Sequence, residues 1–247
     1  MADILHIYIM GYDFTVIIPV FNEEDNLVRV YDEMAAFIKT AKKRTKILFV
    51  NDGSRDNSLQ KIREICNENS DFTYISFDRN YGLSPALKAG FDYLDTLWGG
   101  YIDADLQTDP EDFNELLDYA EDHALVTGVR TNRKDSFVKN ASSKIANGIR
   151  RFFTHDGMDD TGCPLKVIKS EYAKRIPMFK GLHRFLPAMV QLQNGTVKQV
   201  PVRHFERIAG KSKFHLSNRL LGPLSDCFAF LWMKKKYINY QVIEKKL

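Results

Sequence analysis

Two carboxylates stand two residues apart in Asp103-Ala104-Asp105, with Leu106-Gln107 directly behind them and Asp109-Pro110 beyond. At the end of a strand both can turn toward one divalent ion. A hard cation such as Mg²⁺ or Mn²⁺ takes oxygen ligands and commonly keeps substrate phosphates in its shell, so the chemistry in view is diphosphate binding. Alone, an Asp-x-Asp is more often an ordinary loop than a metal site. Two further segments enlarge the pattern: Pro19-Val-Phe-Asn-Glu23 and Asn51-Asp-Gly-Ser54 also follow apolar runs and also end in acidic or amide side chains. Turns use Asn, Asp, Gly and Ser for their own geometry, but that does not explain the recurrence at three strand ends. In an open α/β sheet, ligands bind outside the carboxyl ends of the strands.

The elements that must hold these residues follow from periodicity. Phe14–Pro19, Lys46–Val50, Thr73–Phe77, the short Tyr101-Ile102 and Leu125–Val129 are β-branched or apolar runs of strand length. Between them, Leu27, Val30, Tyr31, Met34, Phe37, Ile38 and Ala41 recur at helical steps, as do Leu59, Ile62 and Cys66, with Asp56 as a candidate cap. Ser84-Pro85 reads as an N-cap and first turn, ahead of an inner face of Leu87, Gly90, Phe91, Leu94 and Trp98. Asp109-Pro110 opens a helix carrying Phe113, Leu116, Leu117 and Ala120 inward. Strand and helix alternate throughout, which predicts an α/β fold: an open, mostly parallel sheet with helices on both faces. Beyond Arg130 the spacing predicts a helix with Ile145, Ile149 and Phe152, a run from Leu165 to Ile168, and a strand over Val197–Val202 that Pro201 confines to an edge or bend. Leu220, Leu221, Leu224, Phe228, Leu231 and Trp232 make Ser217–Trp232 an amphipathic helix, followed by Lys234-Lys-Lys236. That helix packs on the domain or lies on an anionic membrane surface.

At 247 residues, with 44% hydrophobic and 27% charged, the chain can bury a full core without disulfides or a structural metal. The net charge of +3 conceals a division: Met1–Val129 carries 24 acidic and 11 basic residues, and Arg130–Leu247 carries 24 basic and 8 acidic. The second half therefore faces either solvent or something anionic: nucleic acid, a phosphorylated substrate or lipid headgroups. Cys66, Cys163 and Cys227 are odd in number and widely spaced, as expected in a reducing compartment. Met1–Met10 lacks the basic start of a signal peptide, and Cys227–Met233 is far below the ~20 apolar residues of a membrane span. Gly210-Lys-Ser212 lacks the first glycine of a P-loop, whose place is taken by Phe205, and no GxGxxG or HExxH occurs. Nucleic acid is disfavoured, because the basic half lacks interleaved aromatics, a helix-turn-helix or zinc spacing.

Taken together, Val16-Ile-Ile-Pro-Val-Phe-Asn-Glu-Glu24, Asn51-Asp-Gly-Ser-Arg-Asp56, Arg79-Asn-Tyr-Gly82, Asp103-Ala-Asp-Leu-Gln107 with Asp109-Pro110, and Asp160-Thr-Gly162 resemble the family-two inverting glycosyltransferases of the GT-A fold. Within that family they look most like the dolichyl- and polyprenyl-phosphate mannose or glucose synthases. The resemblance covers roughly Phe14 to Phe214. It implies a catalytic domain over 12–215, with 216–247 as a C-terminal amphipathic helix and basic tail. It implies that Pro19, Phe21, Asn22 and Glu23 line the nucleotide pocket, that Asp52 binds the base, and that Gly82, Asp103 and Ala104 belong to the same site. Asp103, Asp105 and Gln107 would hold Mg²⁺ or Mn²⁺; Arg130 and Arg133 would sit near the donor and acceptor phosphates; Arg207, Lys211 and Lys213 would close over the diphosphate.

The implied reaction moves a hexose from a GDP- or UDP-linked sugar to a polyprenyl phosphate at the cytoplasmic face of the membrane. The alternative acceptor is a saccharide hydroxyl. A phosphate acceptor is already anionic and mainly needs positioning, which arginine forks provide, whereas a hydroxyl needs a carboxylate base, for which Asp160 is the candidate. Many relatives carry two C-terminal transmembrane helices. This chain has none and resembles the soluble catalytic subunits that dock on a membrane-protein partner. It also has Cys163-Pro164 where relatives often carry a small residue and an aromatic.

Overall fold

A computed structural model describes residues 11–131, 147–205, 221–239 and 243–244. The apolar runs become seven strands: β1 (Phe14–Val20), β2 (Thr45–Asn51), β3 (Phe72–Ser76), β4 (Trp98–Tyr101), β5 (Leu125–Arg130), β6 (Lys166–Lys169) and β7 (Val197–Val202). They form one sheet in the order β3-β2-β1-β4-β6-β5-β7. β6 pairs antiparallel with both β4 and β5, and every other pairing is parallel. The carboxyl ends of β1, β2, β4 and β5 therefore share one edge, and the beginning of β6 lies at that same edge. Pro201 lies in β7 at the border of the sheet, where a missing N–H is tolerated.

Helices cover both faces. On one, α1 (Leu27–Thr40) and α2 (Ser58–Glu68) bury Leu27, Val30, Met34, Phe37 and Ile62 against Val16, Ile18, Ile47 and Phe49. Phe14 reaches from β1 to meet Phe113 of the short α4 (Phe113–Leu117) edge-on, with ring centroids 5.4 Å apart. On the other face, α3 (Leu83–Asp92) buries Leu87 and Phe91 with Ile17, Leu48 and Val50. Helical residues 147–154 form α5, followed by α6 (Ser170–Arg175), α7 (Leu186–Leu192) and α8 (Leu221–Lys236).

Several sequence expectations shift. Trp98 is not on the inner face of α3: that helix ends at Asp92, and Trp98 begins β4, which stops at Tyr101 rather than Ile102. Ser84 does not cap α3. Gly82 occupies the cap at φ 99°, and the Ser84 hydroxyl contacts His183 Nδ1 at 2.8 Å and accepts from the Gly181 amide. A tertiary partner has displaced the local cap. Asp56 acts one residue further out than a cap, accepting from the Ser58 amide while Asn57 holds the cap position. Asp109 does cap its turn through the Glu111 amide. Ile145 and 217–220 lie outside the described residues, and the three lysines belong to the last turn of α8 rather than following it.

Candidate active site

The β1 and β2 ends are tied to each other. Asn22 takes a left-handed φ of 51°, its amide donates to Ser54 Oγ, and its Oδ1 accepts from the Arg55 amide at 2.7 Å. The Glu23 amide donates to Ser58 Oγ, and the Glu23 carboxylate accepts from Asn26. Asp52 is almost fully buried; its carboxylate accepts from the Tyr81 amide (2.7 Å), the Gly82 amide (2.9 Å) and Asn80 Nδ2 (2.7 Å). Burial raises its pKa, and the two amides oppose the rise. Gly53, at φ +64°, has no room for a side chain, since a Cβ would lie 2.2 Å from the Arg79 backbone. Asp52 thus fixes the Asn80–Gly82 loop through two backbone amides and the Asn80 side chain. Phe21 and Pro19 stay partly exposed beside it, and the Arg79 guanidinium lies 4.9 Å from the Tyr81 ring.

The β4, β5 and β6 edge is built differently, from charges. Asp103 accepts from the Tyr101 hydroxyl at 2.6 Å; burial, and then the neighbouring Asp105 charge, push its pKa up to about 6. Leu106 is left-handed at φ 46° and buried, a backbone conformation a leucine holds only where packing imposes it. This reversal places the Gln107 amide 3.3 Å from Asp105 Oδ1. Gln107 is also pinned to the segment after β7: the Phe205 amide donates to its carbonyl at 2.8 Å, and its Nε2 donates to Phe205 O. Two residues upstream, Arg203 forks onto Asp112 and reaches Asp109.

Facing this, Arg130 at the end of β5 forms a bidentate pair with Asp160, Nε to Oδ2 at 2.7 Å and one terminal nitrogen to Oδ1 at 2.8 Å, both side chains largely buried. The arginine expected near phosphates and the aspartate expected as an alternative base are therefore one unit. Beneath them is a residue the sequence reading overlooked. Lys166 opens β6 in register with Tyr101 on one side and Thr127 on the other, and it is buried. Its ammonium donates to Thr161 O at 3.3 Å and to Cys163 O. Burial lowers its pKa, while the charges of Asp160 and Asp103 oppose that loss. The signal was a lysine inside the apolar run Leu165–Ile168, where a paired strand must bury every side chain or find it a partner. Cys163 is buried in the core, its thiol pushed up to about 11, so it offers no surface for choosing an acceptor.

Among the described residues no group of three His, Cys, Asp or Glu side chains is placed to hold a metal. The candidate set is instead two carboxylates and an amide: Asp103, Asp105 and Gln107. Oxygen donors of this kind fit a hard divalent cation, and burial, with the neighbouring Asp105 charge second, disfavours the Asp103 carboxylate in a way that a bound cation would offset. With its side-chain nitrogen committed to Phe205, Gln107 has its side-chain carbonyl oxygen, distinct from the backbone carbonyl that accepts from Phe205, as the candidate ligand atom for such an ion. Ala104 is buried between the two aspartates. Arg133, Arg207, Lys211 and Lys213 lie outside the described residues.

Residues 15–176 match the model of the family described as Glycosyl transferase family 2. The chain is 32% identical over 204 residues to the undecaprenyl-phosphate 4-deoxy-4-formamido-L-arabinose transferase of Edwardsiella ictaluri, an alignment covering 82% of this chain and 63% of that relative. Among solved structures it resembles glucosyl-3-phosphoglycerate synthase from Mycobacterium tuberculosis bound to Mn²⁺, UDP and glucosyl-3-phosphoglycerate (TM-score 0.70, 14% identity, 95% of this chain and 84% of that one). It also resembles a mannosyltransferase from Pyrobaculum calidifontis in complex with GDP-mannose and Mn²⁺ (TM-score 0.64, 16% identity, 89% of this chain and 64% of that one). The chain belongs to glycosyl transferase family 2, and its fold is GT-A.

Proposed function

We propose that this chain transfers a hexose from a GDP- or UDP-linked sugar to a polyprenyl phosphate, with inversion, at the cytoplasmic face of a membrane. The observation that carries the choice of acceptor is the Arg130–Asp160 pair. A hydroxyl acceptor needs a carboxylate free to take its proton. Asp160 has both oxygens engaged by a guanidinium, which suits it to orienting Arg130 toward an anion. The E. ictaluri relative, whose name specifies undecaprenyl phosphate, supports the same choice.

In this reading a phosphate oxygen of the acceptor attacks the anomeric carbon as the bond to the nucleoside diphosphate breaks, and negative charge collects on the leaving oxygen. Asp103, Asp105 and Gln107 would hold Mg²⁺ or Mn²⁺, which when bound supplies positive charge to that oxygen. Asp52 holds the loop that frames the nucleotide. Arg130 orients the acceptor phosphate, and no proton need be abstracted from it. Incubation of the purified chain with Mn²⁺, labelled nucleotide sugars and either polyprenyl phosphate or free saccharides tests the proposal. Label in the lipid phosphate supports it, and label only in saccharide assigns the chain to the alternative acceptor.

A further inference from the structure

α8 is apolar on two sides. Its inward side is settled by packing: Cys227 and Phe230 are buried, Phe230 stacks on Phe185 with centroids 5.5 Å apart, and Asp226 pairs with Arg184. Gly181, at φ +98°, lies so close to Asp226 that a Cβ there would fall 2.2 Å from its carboxylate, so this junction is tight. The outward side holds Leu224, Phe228, Leu231 and Trp232, one stripe at helical spacing, with Phe228 58% and Trp232 68% exposed. The surface continues onto α5, where Phe152 is 73% exposed and Ile149 is exposed beside it. Phe152 meets Phe153 edge-on, and Phe153 meets the Phe228 ring edge-on at 5.3 Å, so the two helices present one joined patch.

Charge decides what covers it. Lys234, Lys235 and Lys236 are all exposed in the last turn of α8, and Asp226, the helix's one acidic residue, is turned inward to Arg184. Arg151 beside Phe152 is exposed and pairs with Asp159. Three consecutive lysines project about 100° apart around a helix, forming a collar rather than a flat patch. A collar of ammonium groups matches a laterally continuous negative surface better than the discrete carboxylates of a folded partner. Aromatic rings next to lysines are the chemistry of the membrane interface. No described helix is long and apolar enough to cross a bilayer, so α8 would lie along one.

We infer that Ile149 and Phe152 of α5, with Leu224, Phe228, Leu231 and Trp232 of α8, form one surface that seats in the headgroup layer of an anionic bilayer, with Lys234–Lys236 as its electrostatic rim. This deepens the membrane location proposed above and rests on it, but it is independent of donor and acceptor. It also goes beyond the choice between packing and membrane contact, because α8 does both with opposite sides.

Trp232 gives a direct readout, because the only other tryptophan, Trp98, is buried. The full chain is titrated with phosphatidylcholine vesicles with and without phosphatidylglycerol, free of polyprenyl phosphate. The expected result is a blue shift of tryptophan emission and co-sedimentation with the anionic vesicles only, reversed by high salt. Replacing the three lysines by glutamine should weaken partitioning roughly a hundredfold. Phe152→Glu and Phe228→Glu should each weaken it at least about tenfold, and both should retain transfer in detergent. Absence of the shift, unchanged binding by both glutamate variants, or concentration-dependent dimerisation abolished by them in place of vesicle binding would each overturn the inference. A chain that binds vesicles but transfers no sugar fails the proposed function while leaving the surface assignment intact.

Discussion

The two halves of the strand-end edge hold similar residue types by different means. At β1 and β2, Asn22, Glu23 and Asp52 are satisfied by amides and hydroxyls of neighbouring loops, so their polar groups mainly shape backbone. At β4, β5 and β6, Arg130 and Asp160 pair directly, Lys166 donates to the Thr161 and Cys163 carbonyls, and Asp103, held by the Tyr101 hydroxyl, has burial and the Asp105 charge against its ionisation and the Lys166 and Arg130 charges in its favour. The first arrangement is a hydrogen-bonded scaffold that sets loop geometry. The second is a partly buried set of opposed charges in which removing either member of the Arg130–Asp160 pair leaves its partner unbalanced.

The sharpest break of this comparison is Asp105→Ala, expected to lower kcat/KM by about 10³-fold or more and to abolish metal-dependent diphosphate binding, with the melting curve nearly unchanged. Near-normal turnover in this variant would remove Asp105 from the site. Next comes the Arg130–Asp160 unit. Arg130→Ala and Asp160→Asn should each cost about 10- to 100-fold in transfer, and the double variant should cost little more than either alone, a coupling of about 1–3 kcal/mol in a double-mutant cycle. Additive losses would mean that the two act separately and would restore Asp160 as a base.

Lys166→Met tests the buried charge. It leaves the Thr161 and Cys163 carbonyls without their donor, so urea unfolding should show a loss of about 1–3 kcal/mol, with transfer about tenfold slower at saturating donor. Unchanged stability and rate would show that the lysine merely fills space. On the scaffold side, Asp52→Ala should raise the nucleotide Kd about tenfold by loosening the Asn80–Gly82 loop while leaving the saturated rate nearly intact. A fall in kcat with normal affinity would erase the distinction between the two halves.

The smallest effect is on pH. With its folded pKa raised to about 6, Asp103 binds a proton in the folded chain at a pH where the unfolded chain does not. Its ionisation is therefore unfavourable to the metal-free fold above that pH, and its contribution to stability improves as pH falls through 6 toward the unfolded value. Divalent-cation affinity should move the opposite way, weakening as pH falls through 6, which calorimetric titration with Mn²⁺ at several pH values would show. Burial holds His183 down to about 3, so it stays neutral across that range and adds nothing to the profile.

Local pattern sufficed for much of this protein. Apolar runs and helical spacing in the first half located β1, β2, β3 and β5 and the stripe of α1, because those signals depend on neighbours within a few residues. Asp103-Ala-Asp105 could be set at a strand end for the same reason. What spacing could not express was pairing across the sheet. That Lys166 sits beside Tyr101 and Thr127 follows from β6 running antiparallel between β4 and β5. That Asp160 meets Arg130 requires two segments thirty residues apart to return to one edge. Ser84 lost its cap role to His183, ninety-nine residues away, and Trp98 left its helix for a strand end against β1. α8 shows the same division: its sequence declared one apolar face, but only packing against Phe185 and Arg184 decided which residues were consumed by the fold. Phe228 and Trp232 were left in solvent, because burial is a property of where distant surfaces meet, which composition and period do not encode.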